Sequence, residues 1–202
     1  MKTLSQARSI LLAIFGACLM LACSAPQLQE AALFDFGALY ATLAGVPALP
    51  PVSIAEVNAP TWLDGTMMAY RLSYANDQQP RYYAHNRWAM TPARLFEQRL
   101  KARIAQAGGT VLSARDSATN VPVIRIELDD FSQAYDSATH SVGQVTVRVS
   151  LFRGRSLLKQ KTFMQHQPAP TADAAGGARA LAEASDAAIA DMMVWLAKPL
   201  LP

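Results

Sequence analysis

The sequence predicts an α+β fold: a mostly antiparallel sheet covered on one face by two helices, a two-layer sandwich. Three observations carry this. Residues 123–131 and 145–152 alternate apolar and polar side chains, as strands with one buried and one wet face do. Residues 92–107 and 173–197 place apolar residues at three- and four-residue spacings, as helices buried on one side do. Turn-forming residues separate these segments, and two helical stripes are enough to cover the apolar side of one sheet.

Taken in order, residues 33–40 (LFDFGALY) are expected as a first strand or extended segment. A crossing with Pro47, Pro50 and Pro51 follows, then a short strand over 52–57 that stops before Pro60. Met68, Tyr70, Leu72 and Tyr74 alternate onto one face of a strand over 67–74. Asn76-Asp77-Gln78-Gln79-Pro80 has turn chemistry, and 81–85 would return as the hairpin partner. Thr91 is suited to cap the first helix, with Pro92 at its first position. Leu95, Phe96, Leu100, Ile104 and Ala107 form its stripe, Glu97 and Lys101 pair one turn apart, and Gly108-Gly109 ends it. In the long strands, Ile124, Ile126 and Leu128 alternate with Arg125, Glu127 and Asp129; Val145, Val147, Val149 and Leu151 alternate with Thr146, Arg148 and Ser150. Arg153-Gly154-Arg155 turns into a third strand over 156–165. A Pro/Ala linker at 167–172 leads to the last helix, striped by Leu181, Ala184, Ala188, Met192 and Trp195.

The N-terminus has a separate logic. Lys2 and Arg8 precede an apolar run, residues 9–22, of 14 residues. A bilayer-spanning helix needs roughly 20, so this run fits the core of a signal peptide instead. It ends in Met20-Leu21-Ala22-Cys23, which resembles a lipobox, the motif whose cysteine is acylated before cleavage. Met20 stands where Leu is usual. Cys18 is a poorer candidate, because Phe15-Gly16-Ala17 precedes it. Cys18 and Cys23 are the only cysteines, so no disulfide forms within the mature chain. Residues 1–22 therefore read as a leader, 23–32 as a lipidated tether and 33–202 as one domain. Several acyl chains anchor a protein where a single one does not. Ser24, rather than Asp, after the cysteine points to the periplasmic leaflet of the outer membrane.

Losing Lys2 and Arg8 with the leader takes the formal charge from +3 to +1, so nothing calls for nucleic acid as partner. His85, His140 and His166 lie in no zinc-ligand spacing, and no nucleophile elbow or phosphate-binding loop appears. Asp129-Asp130 reads as an exposed strand end, since neighbours on a strand face opposite ways. Arg153 and Arg155 read as a solvated hairpin. Trp62, Trp88 and Trp195 read as core or staple residues. No catalytic residue, cofactor or metal site is expected.

One block carries a family signature: Ala59-Pro60-Thr61-Trp62-Leu63-Asp64-Gly65, then Met68-Ala69-Tyr70-Arg71-Leu72-Ser73-Tyr74, Tyr83, Arg87-Trp88-Ala89-Met90-Thr91-Pro92 and Leu95. It resembles the ABC-type transport auxiliary lipoproteins, the PqiC-like family. Asp191 to Leu196 looks like that family's closing helix, and the match runs in order through most of residues 33–197. The resemblance implies a non-enzymatic lipoprotein that accompanies an ABC permease, its ATPase and an MCE-domain carrier, docks the carrier at the outer membrane, and presents rigid surface or a homo-oligomeric ring. Trp62, Tyr70, Arg71 and Trp88 are the motif positions a partner would meet. Two other readings stand beside it: a lipid-binding periplasmic module with its own cavity, and an assembly or scaffolding lipoprotein for another envelope machine. An envelope hydrolase would need a nucleophile, base and orienting group that no motif supplies.

Overall fold

The computed structural model describes residues 30–39, 45–112 and 121–199. Cys18, Cys23, the leader and most of the tether lie outside the described residues. The chain divides into two units, Met1–Glu30 and Ala31–Pro202, and the fold is that of the second. Its elements are β1 (Ala32–Phe34), β2 (Val52–Ile54), a 3-10 turn (Thr61–Leu63), β3 (Met67–Leu72), β4 (Asn76–Trp88), α1 (Pro92–Gln106), β5 (Val111–Leu112), β6 (Val123–Tyr135), β7 (Ser141–Arg153), β8 (Ser156–Pro168) and α2 (Ala174–Ala197).

The eight strands form one sheet organised around β6. One edge of β6 pairs antiparallel with β7 along its length, and β7 pairs likewise with β8. The other edge is shared. β2 lies parallel to its start, with Ile54 opposite Ile124, and β3 lies parallel to its end, with Tyr70 opposite Gln133. β4 pairs antiparallel with β3 and parallel with β1, while β5 lies parallel to β2. The long ladders are antiparallel, as expected, and the α+β class holds. The short parallel joints were not legible, because alternation reveals half-burial and says nothing about a partner's direction.

The first hairpin differs from expectation. The turn falls at residues 73–75, and the stretch expected as a turn, 76–80, belongs to β4, which runs on to Trp88. Tyr70 pairs with Arg81 but Leu72 with Asn76, so the residues between bulge out of the ladder. Pro80 sits in that bulge, where its missing N–H costs no ladder bond. The first strand is also shorter than 33–40: after Phe34 the chain turns, the Asp35 carboxylate accepting from the Gly37 amide at 2.7 Å.

The core lies between the sheet and the helices. Ile124, Ile126, Leu128 and Phe131 of β6 and Val145, Val147 and Val149 of β7 are no more than 1% exposed. α2 packs across β6, β7 and β8, and α1 lies beside α2. The predicted stripes are buried, from Leu95, Phe96, Leu100 and Ile104 in α1 to Leu181, Ala184, Ala188 and Met192 in α2. Trp195 is half-buried and meets Phe163 edge-on at 5.7 Å. Burying side chains of this size contributes about 1.5–3 kcal/mol each. α2 approaches the sheet closely over Gly143, where a Cβ would come within 2.6 Å of the Ala180 and Leu181 backbone.

The helix ends follow different rules. Thr91 occupies the N-cap position of α1 with extended backbone, but its side chain makes no cap bond. Pro92 needs no partner there, which lowers the demand. At the other end Gly108 takes φ of 80°, the left-handed conformation expected of it. Asp173 caps α2 by accepting from the Gly176 amide at 2.8 Å. At its C-terminus Lys159 reaches in from β8 and donates to the carbonyls of Trp195, Leu196 and Lys198 at 3.0, 3.2 and 2.9 Å. A cation satisfying the last carbonyls complements the helix dipole and ties the edge strand to the helix.

Candidate functional site

The motif residues divide between the two sides of the sheet. Trp88 is 1% exposed and packs edge-on against Phe36 and Phe131, at 6.1 and 5.4 Å. Tyr70 points to the helix side, where its ring meets those of Tyr83 and Tyr135 at 4.7 and 5.9 Å. These two are structural. Trp62 and Arg71 are half-exposed and meet on the other side, the Arg71 guanidinium 5.2 Å from the Trp62 ring. Cys23 lies outside the described residues.

Tyr70 borders a polar knot under the N-terminus of α2. Gln133, 1% exposed, accepts from the Tyr83 hydroxyl at 2.9 Å. Its amide donates to the Ser141 hydroxyl at 2.8 Å and to the Asp173 carbonyl at 3.1 Å. The Tyr83 and Tyr135 hydroxyls are 2.6 Å apart. Burial holds the Tyr83 phenol well above its ordinary range, with the Tyr135 contact adding to the effect. Tyr135 is also raised by burial. Both phenols therefore stay protonated and serve as donors. The knot joins β4, β6, β7 and α2, and a buried polar group with every partner in place specifies one register where an apolar group would tolerate several.

The helix-free face carries the candidate site. Leu63, 2% exposed, anchors the 3-10 turn, and the Tyr82 hydroxyl donates to the Trp62 carbonyl at 3.1 Å. Arg71 is steadied by donating to the Asp77 carbonyl at 3.0 Å. A parallel bridge joins Asn58 to Glu127 and brings the motif turn alongside β6. Between them lies a cavity of about 330 Å³ lined by Ala59, Pro60, Trp62, Glu127, Asp129 and Arg148, among others. Arg148 sits 2.6 Å from Glu127 and donates to Asp129 at 3.1 Å. One wall is thus apolar and aromatic, the other charged in both signs.

Asp129 and Asp130 correct the expectation of opposite faces. The ladder skips a residue between Leu128 and Asp130. This bulge turns Asp130 to the same side as Asp129, where it accepts from Ser132 at 2.9 Å and Gln144 at 3.0 Å. Burial raises the Asp130 pKa above its ordinary 3.8, while the Ser132 bond and the charge of Arg71 pull it back. The two carboxylates remain separate in role, one paired with an arginine and one with neutral donors. His140 lies 2.6 Å from Asp136 at the β6–β7 turn. Among the described residues no group of three or more His, Cys, Asp or Glu side chains is placed to hold a metal. The geometry suits recognition through shape, stacking and paired charge.

Two solved structures share the fold. Protein XCC0632 from Xanthomonas campestris superposes with a TM-score of 0.69 at 14% identity, over 81% of this chain and 93% of its own. A second, described as an uncharacterized protein, superposes with a TM-score of 0.63 at 13% identity, over 83% of this chain and 99% of its own. No curated protein matches the sequence significantly. A family model described as the ABC-type transport auxiliary lipoprotein component matches residues 38–193, which include the motif turn, α1, the whole β6–β8 meander and α2 but for its last four residues. The chain belongs to the ABC-type transport auxiliary lipoprotein component family.

Proposed function

We propose that this protein is a non-enzymatic lipoprotein, acylated at Cys23, that docks the MCE-domain carrier of an ABC-type lipid transport system at the periplasmic face of the outer membrane. Its family supplies the transport-associated auxiliary role. The leader would span 1–22, the tether 23–32 and the docking body 33–202. ATP hydrolysis and permeation belong to the ABC ATPase and permease. One observation carries the reading: Ala59, Pro60 and Trp62, which bear the family resemblance, also wall a cavity on the helix-free face. Trp62 supplies the aromatic wall with the Arg71 guanidinium over its ring, and Trp and Arg are residue types enriched where partners bind most tightly. Anchoring confines that face to a thin layer and so raises its effective concentration against another envelope component.

The test has two arms. Cys23→Ala is expected to remove the acyl mass and release the protein from the membrane fraction; a membrane-bound protein of lipidated mass would defeat the anchoring. A photo-crosslinking residue at Asn58, beside the cavity, is expected to capture the MCE subunit in intact cells. One at Leu157, exposed on the β7–β8 hairpin, is expected not to. Capture of no transport subunit from Asn58 would defeat the docking.

A further inference from the structure

A second cleft lies on the opposite side of the molecule's core layer, where α1, α2 and the segment after β1 meet. Two cavities, about 360 and 500 Å³, both border Asp35, Phe36, Gly37 and Arg99. Each falls within the roughly 300–1,000 Å³ of small-molecule sites. The first is walled largely by apolar side chains, Leu39, Met90 and Leu95 among them, while the second sets Phe34, Ala178 and Ala182 beside charged groups.

Arg99 stands between them, its side chain only 5% exposed. It donates to the Phe36 carbonyl and lies over the Phe36 ring at 5.5 Å. Its nearest carboxylate is Asp186, 3.5 Å from Nε, but both Asp186 oxygens already accept from the Arg103 fork, at 2.9 and 2.7 Å. The Arg99 Nε therefore has no hydrogen-bond partner. Two guanidiniums share one carboxylate, and a buried N–H left without a hydrogen bond is costly. Asp35, Glu183 and Arg179 also border the cleft, all exposed, so their charges are screened by solvent.

We propose that this cleft binds a single-chain anionic amphiphile, its phosphate or carboxylate head on Arg99 and its chain along the apolar walls. The buried guanidinium selects the charge, and the walls select against a free anion. Source follows from position. Only eight residues separate Cys23 from β1, about 30 Å when extended, so an acylated chain would hold this cleft near the bilayer surface. That last step rests on the anchoring proposed above; binding itself does not.

The full-length acylated protein in phosphatidylcholine nanodiscs would be titrated calorimetrically with hexyl phosphate, inorganic phosphate and hexanol, with empty nanodiscs subtracted. Hexyl phosphate is expected to saturate one site and to bind about tenfold or more tightly than either control, since head and chain contribute together. Arg99→Gln is expected to weaken it about tenfold, the scale of a lost charged hydrogen bond, while Arg103 still pairs Asp186. Should that variant misfold by circular dichroism, Ala182→Leu, which fills one lobe and keeps Arg99, decides instead and is expected to weaken hexyl phosphate alone. Hexyl phosphate binding no tighter than inorganic phosphate, or binding that survives the substitutions, would overturn the proposal. Neither result bears on crosslinking from Asn58, so the two readings fail separately.

Discussion

The two faces of the β6–β7 pair are made from alternate residues of the same strands, yet they are held by different forces. The helix side is close-packed: Ile124, Ile126, Val145, Val147 and Val149 are fully buried beneath α1 and α2. The helix-free side is held by discrete pairs, Arg148 with Glu127 and Asp129, and Asp130 with Gln144. Exposed ion pairs contribute only about 0–1 kcal/mol each, whereas a buried aromatic contributes several times that. The covered face therefore determines whether the protein folds, and the open face is free to be shaped by what it meets. The family motif straddles both, with Trp88 inside and Trp62 outside.

The largest expected effect tests that division directly. Trp88→Ala removes a side chain that touches Phe36 and Phe131 in the core, and denaturant unfolding should show a loss of about 3–5 kcal/mol. Trp62→Ala should cost about 1 kcal/mol, the scale of its stacking with Arg71, while abolishing capture from Asn58. Equal losses of stability would break the comparison. An intermediate effect is expected in the polar knot. Tyr83→Phe deprives Gln133 of a donor and Tyr135 of its partner, and should cost about 1–3 kcal/mol; Arg148→Ala, across the sheet, should cost about 0–1 kcal/mol by the same measurement.

The remaining effects depend on pH and run in opposite directions. The Asp173 carboxylate accepts from the Gly176 amide and the Thr171 hydroxyl, which hold its pKa below the ordinary 3.8. The folded state thus binds fewer protons there, and the stabilisation is present above pH 3.8 and lost as pH falls through the folded value. Asp173→Ala should cost about 0.5–2 kcal/mol at neutral pH, with the difference shrinking in acid. Asp130 is raised above 3.8, chiefly by burial. Its folded form holds the proton more tightly, so its charge costs stability at neutral pH, and the cost fades as pH falls through the folded value toward 3.8. Asp130→Asn should therefore raise the unfolding midpoint at neutral pH and lose that advantage in acid. Thermal unfolding across pH 3 to 7 would show whether the two variants converge on the parent from opposite sides.

Much of the fold was legible because its signals are periodic. The stripe from Leu95 to Ile104 and the alternation from Ile124 to Leu128 each repeat within a few residues, and each marks an element and its buried side. The first hairpin was misplaced because Asn76 to Pro80 are turn formers that a bulge accommodates inside a strand. Strand β5, two residues long, carries no period at all. At the helix-free site Trp62 and Arg71 were singled out, but Arg148 and Glu127 appeared only as the wet half of an alternation. The bulge after Leu128, which sets Asp129 and Asp130 on one face, leaves no trace in residue spacing.

The amino-acid order alone determined where the long strands and both helices lie, which side of each is apolar, how the first helix begins and ends, and that both cysteines fall within the first 23 residues. These are properties of neighbours, set by backbone geometry and local burial. Only the tertiary structure decided that β2 and β3 share one edge of β6, and that the motif turn leans on Glu127. It also decided that Arg103 and Asp186, 83 residues apart, meet so fully that the Arg99 Nε is left without a hydrogen bond. Contacts of that range are chosen by which surfaces fit together once the chain has collapsed, and no local pattern records the choice.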